Sequence, residues 1–279
     1  MHDCPSTIAS SGLCVAALYH FTSFDDPEGM RGPLLELCDD LDIRGTLLLA
    51  REGINGTVSG MVDAMERLIG YLRRLPGCAD MDVKYSTARE HPFERMKVKL
   101  KKEIVTMGVG GIDPVRDAGI YVEPKDWNAL LNRPDMILID TRNDYEVEIG
   151  TFADAINPEI RSFREFPAWF SAMKDQWEAE GKAPPPVAMF CTGGIRCEKS
   201  TAFARSIGCE EVYHLKGGIL RYLEEIPAEQ SLWRGNCFLF DDRVSVTHGL
   251  ALTDDCLCAR CGRPYASGDG HECAASAAD

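Results

Sequence analysis

The sequence predicts two α/β units in series: an α+β unit, then a parallel-sheet α/β unit with a cysteine-rich tail. Three observations predict this. The first third runs strand, helix, strand, strand, helix, strand, which is the split βαβ plan of a ferredoxin-like domain. Further on, short wholly apolar runs (MILI at 136–139, VAMF at 187–190) stop at polar or glycine residues and lead into helical patterns, as buried parallel strands do. Between these halves the stretch GVGGIDPVRDAGIY breaks both periodicities. The expected boundaries are 13–107 for the α+β domain, 108–122 for a linker, 123–229 for the α/β domain and 230–279 for the tail.

In chain order, residues 1–12 read as a frayed tail. CVAALYHF at 14–21 is a strand, and Asp25, Asp26 and Pro27 turn out of it. A helix follows over 33–41. Strands are expected at 46–50 and 54–58, and REGINGTVSG, with two glycines around Asn55, is read either as a hairpin turn or as a loop that approaches a phosphate or ribose, with Arg51 its candidate substrate contact. Residues 61–75 place Met61, Met65, Leu68, Ile69 and Leu72 on one helical face, ended by Pro76 and Gly77. Strands at 82–85 and 96–105 complete the unit. Arg95, Lys97, Lys99 and Lys101 alternate with Met96, Val98 and Leu100, so these cations share one strand face. That face is either an RNA contact or simply solvated.

Composition bounds the classes. The chain has 279 residues, 45% hydrophobic and 27% charged, with a net charge of −14. That charge argues against nonspecific adhesion to nucleic acid but does not exclude a local basic face. No apolar run approaches a membrane span, and the N-terminus lacks signal-peptide character, so a cytoplasmic protein without membrane attachment is expected. The 12 cysteines are scattered through regular elements, which suits reduced thiols better than a disulfide framework.

The chemistry concentrates in VAMFCTGGIRCEKS. The strand ends at Cys191, and Thr192, Gly193, Gly194 and Ile195 form a tight loop closed by Arg196, with a helix beginning immediately after. A cysteine under a ring of backbone N–H groups, facing a helix N-terminus and an arginine, has its thiolate favoured and is a nucleophile. Cysteine phosphatases place the arginine one position later, in a wider cradle for phosphate. The tighter loop suits a sulfur carried on the cysteine. Cys197 is either a thiol that resolves an oxidised Cys191 or a residue packed in the first helical turn. This reading requires a Cys191 that solvent reaches and that alkylates faster than free cysteine. Asp140 and Arg142, just past the 136–139 strand, lie on the same sheet edge and are expected at the pocket rim. The aromatic residues between Phe163 and Trp177 are expected in the core, and His214 is read as a strand residue rather than an acid or base.

The loop Cys-x-x-Gly-x-Arg resembles the rhodanese family, whose cysteine carries a persulfide. The longer string CTGGIRCEK resembles the rhodanese-related tRNA uridine hydroxylases, as do REGINGTVSG and HPFERMKVKLKKEIV in the first half. IDTRNDYEVEIGTFADAIN is similar to the early rhodanese signature. It departs from it at Gly150-Thr151-Phe152, where the usual histidine is missing. The resemblance covers nearly the whole chain. It implies an acylphosphatase-like first domain, a rhodanese-like second domain, tRNA as partner, and formation of 5-hydroxyuridine at the wobble position with molecular oxygen as co-substrate. Cys191, Arg196 and Cys197 would be the catalytic residues. The alternative is a sulfurtransferase moving sulfane sulfur from thiosulfate or a persulfide.

In the tail, Cys258-x-x-Cys261 followed by His271 and Cys273 has the ligand types of a zinc knuckle, with Cys256 as an alternative ligand. An unstructured tail is the competing reading. Residues 237–246 are expected to pack back on the preceding domain.

Overall fold

The computed structural model describes residues 13–88, 90–266, 271 and 273. The frayed tail expected at 1–12, and Arg89 beside the basic strand, lie outside them. The chain divides into two units, Met1–Thr106 and Met107–Asp279.

The first unit runs β1 (Leu13–Phe21), α1 (Pro27–Asp40), β2 (Arg44–Ala50), β3 (Gly53–Gly60), α2 (Val62–Leu72), β4 (Val83–Ala88) and β5 (Met96–Leu100). Its sheet order, β4-β1-β3-β2-β5, is antiparallel except for β5, which runs parallel to β2. This is the ferredoxin-like plan with a fifth strand on one edge. Alternation along β1 and β2 sends Ala16, Leu18, Leu47 and Leu49 into a core shared with Leu34 of α1 and Met65, Leu68 and Leu72 of α2. The β2–β3 hairpin turns at Arg51 and Glu52, with Ala50 opposite Gly53. Gly53 has φ +137, and a Cβ there would lie 2.0 Å from the His20 carbonyl oxygen, so only glycine fits.

Three expectations in this unit are corrected. Helix α1 begins at Pro27, six residues before the expected start, because Asp26 caps it by accepting the Gly29 N–H at 2.9 Å and a proline is tolerated in the first turn. Met61 is the exposed N-cap of α2 rather than part of its apolar face. Strand β5 ends at Leu100, so Lys101 lies just beyond it.

The second unit contains α3 (Pro114–Asp117), β6 (Ile120–Val122), α4 (Pro124–Leu131), β7 (Ile137–Asp140), α5 (Asp144–Val147), β8 (Gly150–Phe152), α6 (Phe166–Ala179), β9 (Val187–Phe190), α7 (Ile195–Ser206), β10 (Val212–Leu215) and α8 (Gly218–Glu225). Strands β6-β10-β9-β7 form a parallel sheet, and β9 is buried at every position. Each of its side chains contributes about 1.5–3 kcal/mol by leaving water, except the smaller Ala188. The segment expected as linker therefore contains a strand: β6 is three residues long, too short to show a period, and is held by pairing with β10. Helix α6 buries Phe166 and Phe170, as its aromatic spacing predicts.

The described residues of the tail, 230–266, 271 and 273, are built onto this unit rather than trailing from it. They carry β11 (Trp233–Gly235), β12 (Cys237–Phe238), β13 (Ser245–Val246), β14 (Cys256–Leu257) and β15 (Pro264–Tyr265). β11 pairs with β8, bringing Trp233 opposite Phe152. Phe152 then meets Phe190, Tyr222 and Trp233 edge-on at 4.8–5.2 Å. That aromatic cluster anchors the end of β9 from which the Cys191 loop departs.

Candidate active site

Cys191 follows β9, and Gly194, at φ +103, caps α7. Such a φ suits glycine and lets the chain turn within four residues from strand to helix. The Gly194 N–H donates to Cys191 Sγ at 3.1 Å. The loop's carbonyls face the other way: Cys191 O accepts from the Ile219 N–H at 3.0 Å, and Thr192 O from Leu220 at 3.1 Å, both in the first turn of α8. Amides therefore point inward at sulfur while the carbonyls are held at the opposite helix. Gly217 and Gly218, at φ +74 and +69, allow this approach. A Cβ on Gly218 would lie 2.5–2.7 Å from Cys191 O, Thr192 O and Gly194 N.

Cys197 lies one turn into α7. Its thiol and backbone N–H both serve Cys191 Sγ, and its own sulfur stands 3.7 Å from Thr141 Oγ1. Burial alone would raise the Cys191 pKa. The hydrogen bond from Cys197, the nearby Arg196 guanidinium and the amides of Cys197 and Gly194 outweigh it and bring the thiol from 9.0 down to about 5. Burial and the neighbouring thiolate push Cys197 the opposite way, well above its ordinary value. One proton is shared between two sulfurs, and Cys191 is the one that ionises.

Arg196 does not stand free at the loop's lip, as the sequence suggests. Its guanidinium forks onto Glu146 at 2.6 and 2.8 Å, with Thr192 Oγ1 at 3.2 Å from the same NH2 group. Glu146 is fully buried in α5, where it also accepts the Asn143 N–H in a capping box. Burial pushes its carboxyl up, but Arg196 and Arg142 overcome this and hold it below the usual range. Sequence reasoning named this glutamate only as part of a family signature. No local pattern ties it to an arginine 50 residues away.

Asp140 and Arg142 are not rim residues either. Both side chains are completely buried, paired with each other at 2.6 and 2.9 Å, and Arg142 also donates to the Gly150 carbonyl at 2.6 Å. Thr151, where the sequence departs from the rhodanese signature it resembles, donates to Asp140 at 2.9 Å. Their place at the sheet edge was legible, but the direction of their side chains was not. This pair is a prop beneath the site.

The expected solvent access of Cys191 is also overturned. Cys191 and Cys197 are both 0% exposed, and only Gly193 and Ile195 of the loop are half-buried. From the tail, the Phe240 ring lies 5.9 Å from the Arg196 guanidinium and is itself 62% exposed, while Phe238 meets Tyr145 at 5.4 Å. His214 is buried against the Tyr121 ring at 4.1 Å, and burial brings its pKa to about 4, so it stays neutral.

In the first unit, Lys97 and Lys99 are exposed on β5, and Lys101 is exposed beyond it. Lys97 and Lys99, but not Lys101, border a shallow 420 Å³ groove with Arg31 and Arg95, where Arg31 is fixed by donating to the Val98 carbonyl at 2.9 Å. Arg51 is exposed in the β2–β3 turn, away from that strand in sequence. In the tail, Cys258, Cys261, His271 and Cys273 converge, and their donor atoms lie within 4.8 Å of one another.

Comparison with known proteins agrees with this architecture. Residues 13–104 match the UPF0176 acylphosphatase like domain, and residues 123–225 match the rhodanese-like domain. A tRNA uridine(34) hydroxylase of Gluconobacter oxydans is 62% identical over 90% of this chain and 80% of its own length. Those of Caulobacter vibrioides and Mesorhizobium japonicum are 57% and 58% identical over 91% and 93% of this chain, covering 81% and 82% of the relatives. An acylphosphatase-like unit followed by a rhodanese unit with its cysteine loop, matched at this identity nearly end to end, places the chain in the tRNA uridine(34) hydroxylase family.

Proposed function

We propose that this protein hydroxylates ring carbon 5 of uridine 34 in tRNA, an oxygen-dependent reaction giving 5-hydroxyuridine in the cytoplasm. The 62% identity to a relative of that name over nine-tenths of the chain carries the assignment. The site supports it with a thiolate held by amides and by the Cys197 thiol. Uracil is electrophilic at ring carbon 6. A thiolate adding there moves the C5=C6 electron pair toward carbon 5, which becomes the nucleophile that takes up oxygen. Loss of the carbon 5 proton and departure of sulfur restore the ring. One atom of dioxygen enters the base, and a two-electron donor reduces the other to water.

The requirement that solvent reach Cys191 is not met in this structure, so the proposed chemistry needs an opening step before a base meets the sulfur. Phe240, largely exposed, stands 5.9 Å from the Arg196 guanidinium beside this loop. The basic face of Lys97, Lys99 and Lys101 supplies phosphate contacts for tRNA, with Arg51 a further contact. A thiolate accepting an amide N–H is also the geometry a persulfide needs, so sulfur transfer is the second reading.

The two readings separate on purified protein. With unmodified tRNA and a reductant, 5-hydroxyuridine should appear in nucleoside mass spectra under air and not under argon. Thiocyanate formation from thiosulfate and cyanide, with no hydroxylated nucleoside under air, would assign the sulfurtransferase instead.

A further inference from the structure

The second chemically dense cluster lies in the tail and has no part in the chemistry above. β14 and β15 pair as a ribbon of two residues per strand, Cys256 opposite Tyr265 and Leu257 opposite Pro264. Their connection is a tight loop in which the Cys258 N–H donates to the Arg263 carbonyl at 2.9 Å and the Gly262 N–H to the Cys258 carbonyl at 2.8 Å. Within it the N–H groups of Arg260 and Cys261 are directed at Cys258 Sγ. Cys258 Sγ is 3.2 Å from Cys273 Sγ, Cys261 Sγ is 3.1 Å from His271 Nε2, and Cys261 and Cys273 are 3.8 Å apart. A tetrahedral zinc with sulfur at about 2.3 Å and nitrogen at about 2.0 Å separates its ligands by roughly 3.5–3.8 Å; these three separations lie within about half an ångström of that, and all four donors lie within 4.8 Å of one another. The His271 ring stacks on Tyr265 at 5.1 Å, which fixes the imidazole's orientation toward the sulfurs.

We propose that Cys258, Cys261, His271 and Cys273 form a closed structural zinc site. Three thiolates and an imidazole are soft donors that select zinc over magnesium or calcium. Four protein ligands leave no open coordination position, so the ion is not catalytic. Cys256 is outside the set, its sulfur directed at the Asp254 carbonyl. The ribbon supplies the reason for a metal: two residues per strand cannot hold a hairpin together in water, and ligation can. Arg263, in the same loop, pairs with Glu148 and with Asp144 (3.6 Å), the acids flanking Glu146. The ion thus fixes a loop that rests on α5, the element carrying the Arg196 clamp.

The test is metal analysis of the full-length chain purified under reducing conditions. One zinc per chain is expected, released by a mercurial and captured by a colorimetric chelator. Cobalt exchanged into the same protein should show the intense visible bands of tetrahedral thiolate ligation. Cys261→Ser and His271→Ala should each lose most of the zinc, and Cys256→Ser should keep it. A metal-free wild-type chain that gives no such cobalt bands overturns the proposal. So does a mass lighter by two hydrogens with Cys258 linked to Cys273, or retention of a full equivalent by both ligand variants.

Discussion

At the scale of single residues, the site turns on where one proton goes. Two ion pairs, Asp140 with Arg142 and Glu146 with Arg196, lie buried nearby and nearly cancel each other's charge. Against burial, the Cys197 thiol, the Arg196 guanidinium and the two amides decide the ionisation of Cys191. The rate of alkylation by iodoacetamide, followed by peptide mass spectrometry, should titrate with a midpoint near 5 and be level from there to pH 9. Restricted reagent access slows the whole profile without moving its midpoint, so ionisation and access are read separately. Cys197→Ala should raise the midpoint, since it removes the thiol donor. A midpoint near the ordinary thiol value in the wild-type chain would mean that the amide nest does not act on sulfur. The same shift links to stability: a thiol with a depressed folded pKa contributes fully above its unfolded value of about 9, and that contribution is lost as pH falls through about 5. The spacing of Cys191, the glycines and Arg196 is local, which is why it was legible in sequence. Glu146, the buried direction of Asp140 and Arg142, and the sealing of the thiol depend on contacts across dozens of residues, which no local period encodes.

At the scale of elements, the loop is shaped from behind by the first turn of α8. Its two N–H groups hold the Cys191 and Thr192 carbonyls, which turns the loop's amides toward sulfur. Gly218 is the contact point, and its φ of +69 and 2.5 Å clearance from Cys191 O leave no room for a side chain. Gly218→Ala should cost about 1–3 kcal/mol in urea unfolding through overpacking and left-handed strain. It should also cut hydroxylation by more than the folded fraction lost, because the loop must move. Activity per folded molecule equal to wild type would show that the loop does not depend on this turn. The Gly-Gly pair was visible in the sequence as a turn before the closing helix. That it packs on the cysteine loop follows only from β10 lying beside β9. Short elements were the hardest to read: β6, β8 and β11 have three residues each, and pairing rather than pattern creates them.

At the scale of the whole molecule, the order of strands and helices predicted both units, since long amphipathic segments such as α2 carry their period openly. The tail was less legible. Its strands are two or three residues long, and they are held by β8, by the Phe152 cluster and by Arg263 on α5. The net charge of −14 is offset locally on β5, where Lys97 and Lys99 face solvent, and this is the face the proposed function assigns to RNA. The proposed function assigns RNA contact to the first unit and sulfur to the second, and its central claim is that the Cys191 sulfur performs the chemistry. The most direct test is nucleoside mass spectrometry of tRNA from cells lacking this protein and complemented with either wild type or Cys191→Ser at equal abundance. The account predicts 5-hydroxyuridine with the wild type and none above background with the serine variant. Full 5-hydroxyuridine in the Cys191→Ser strain would contradict it.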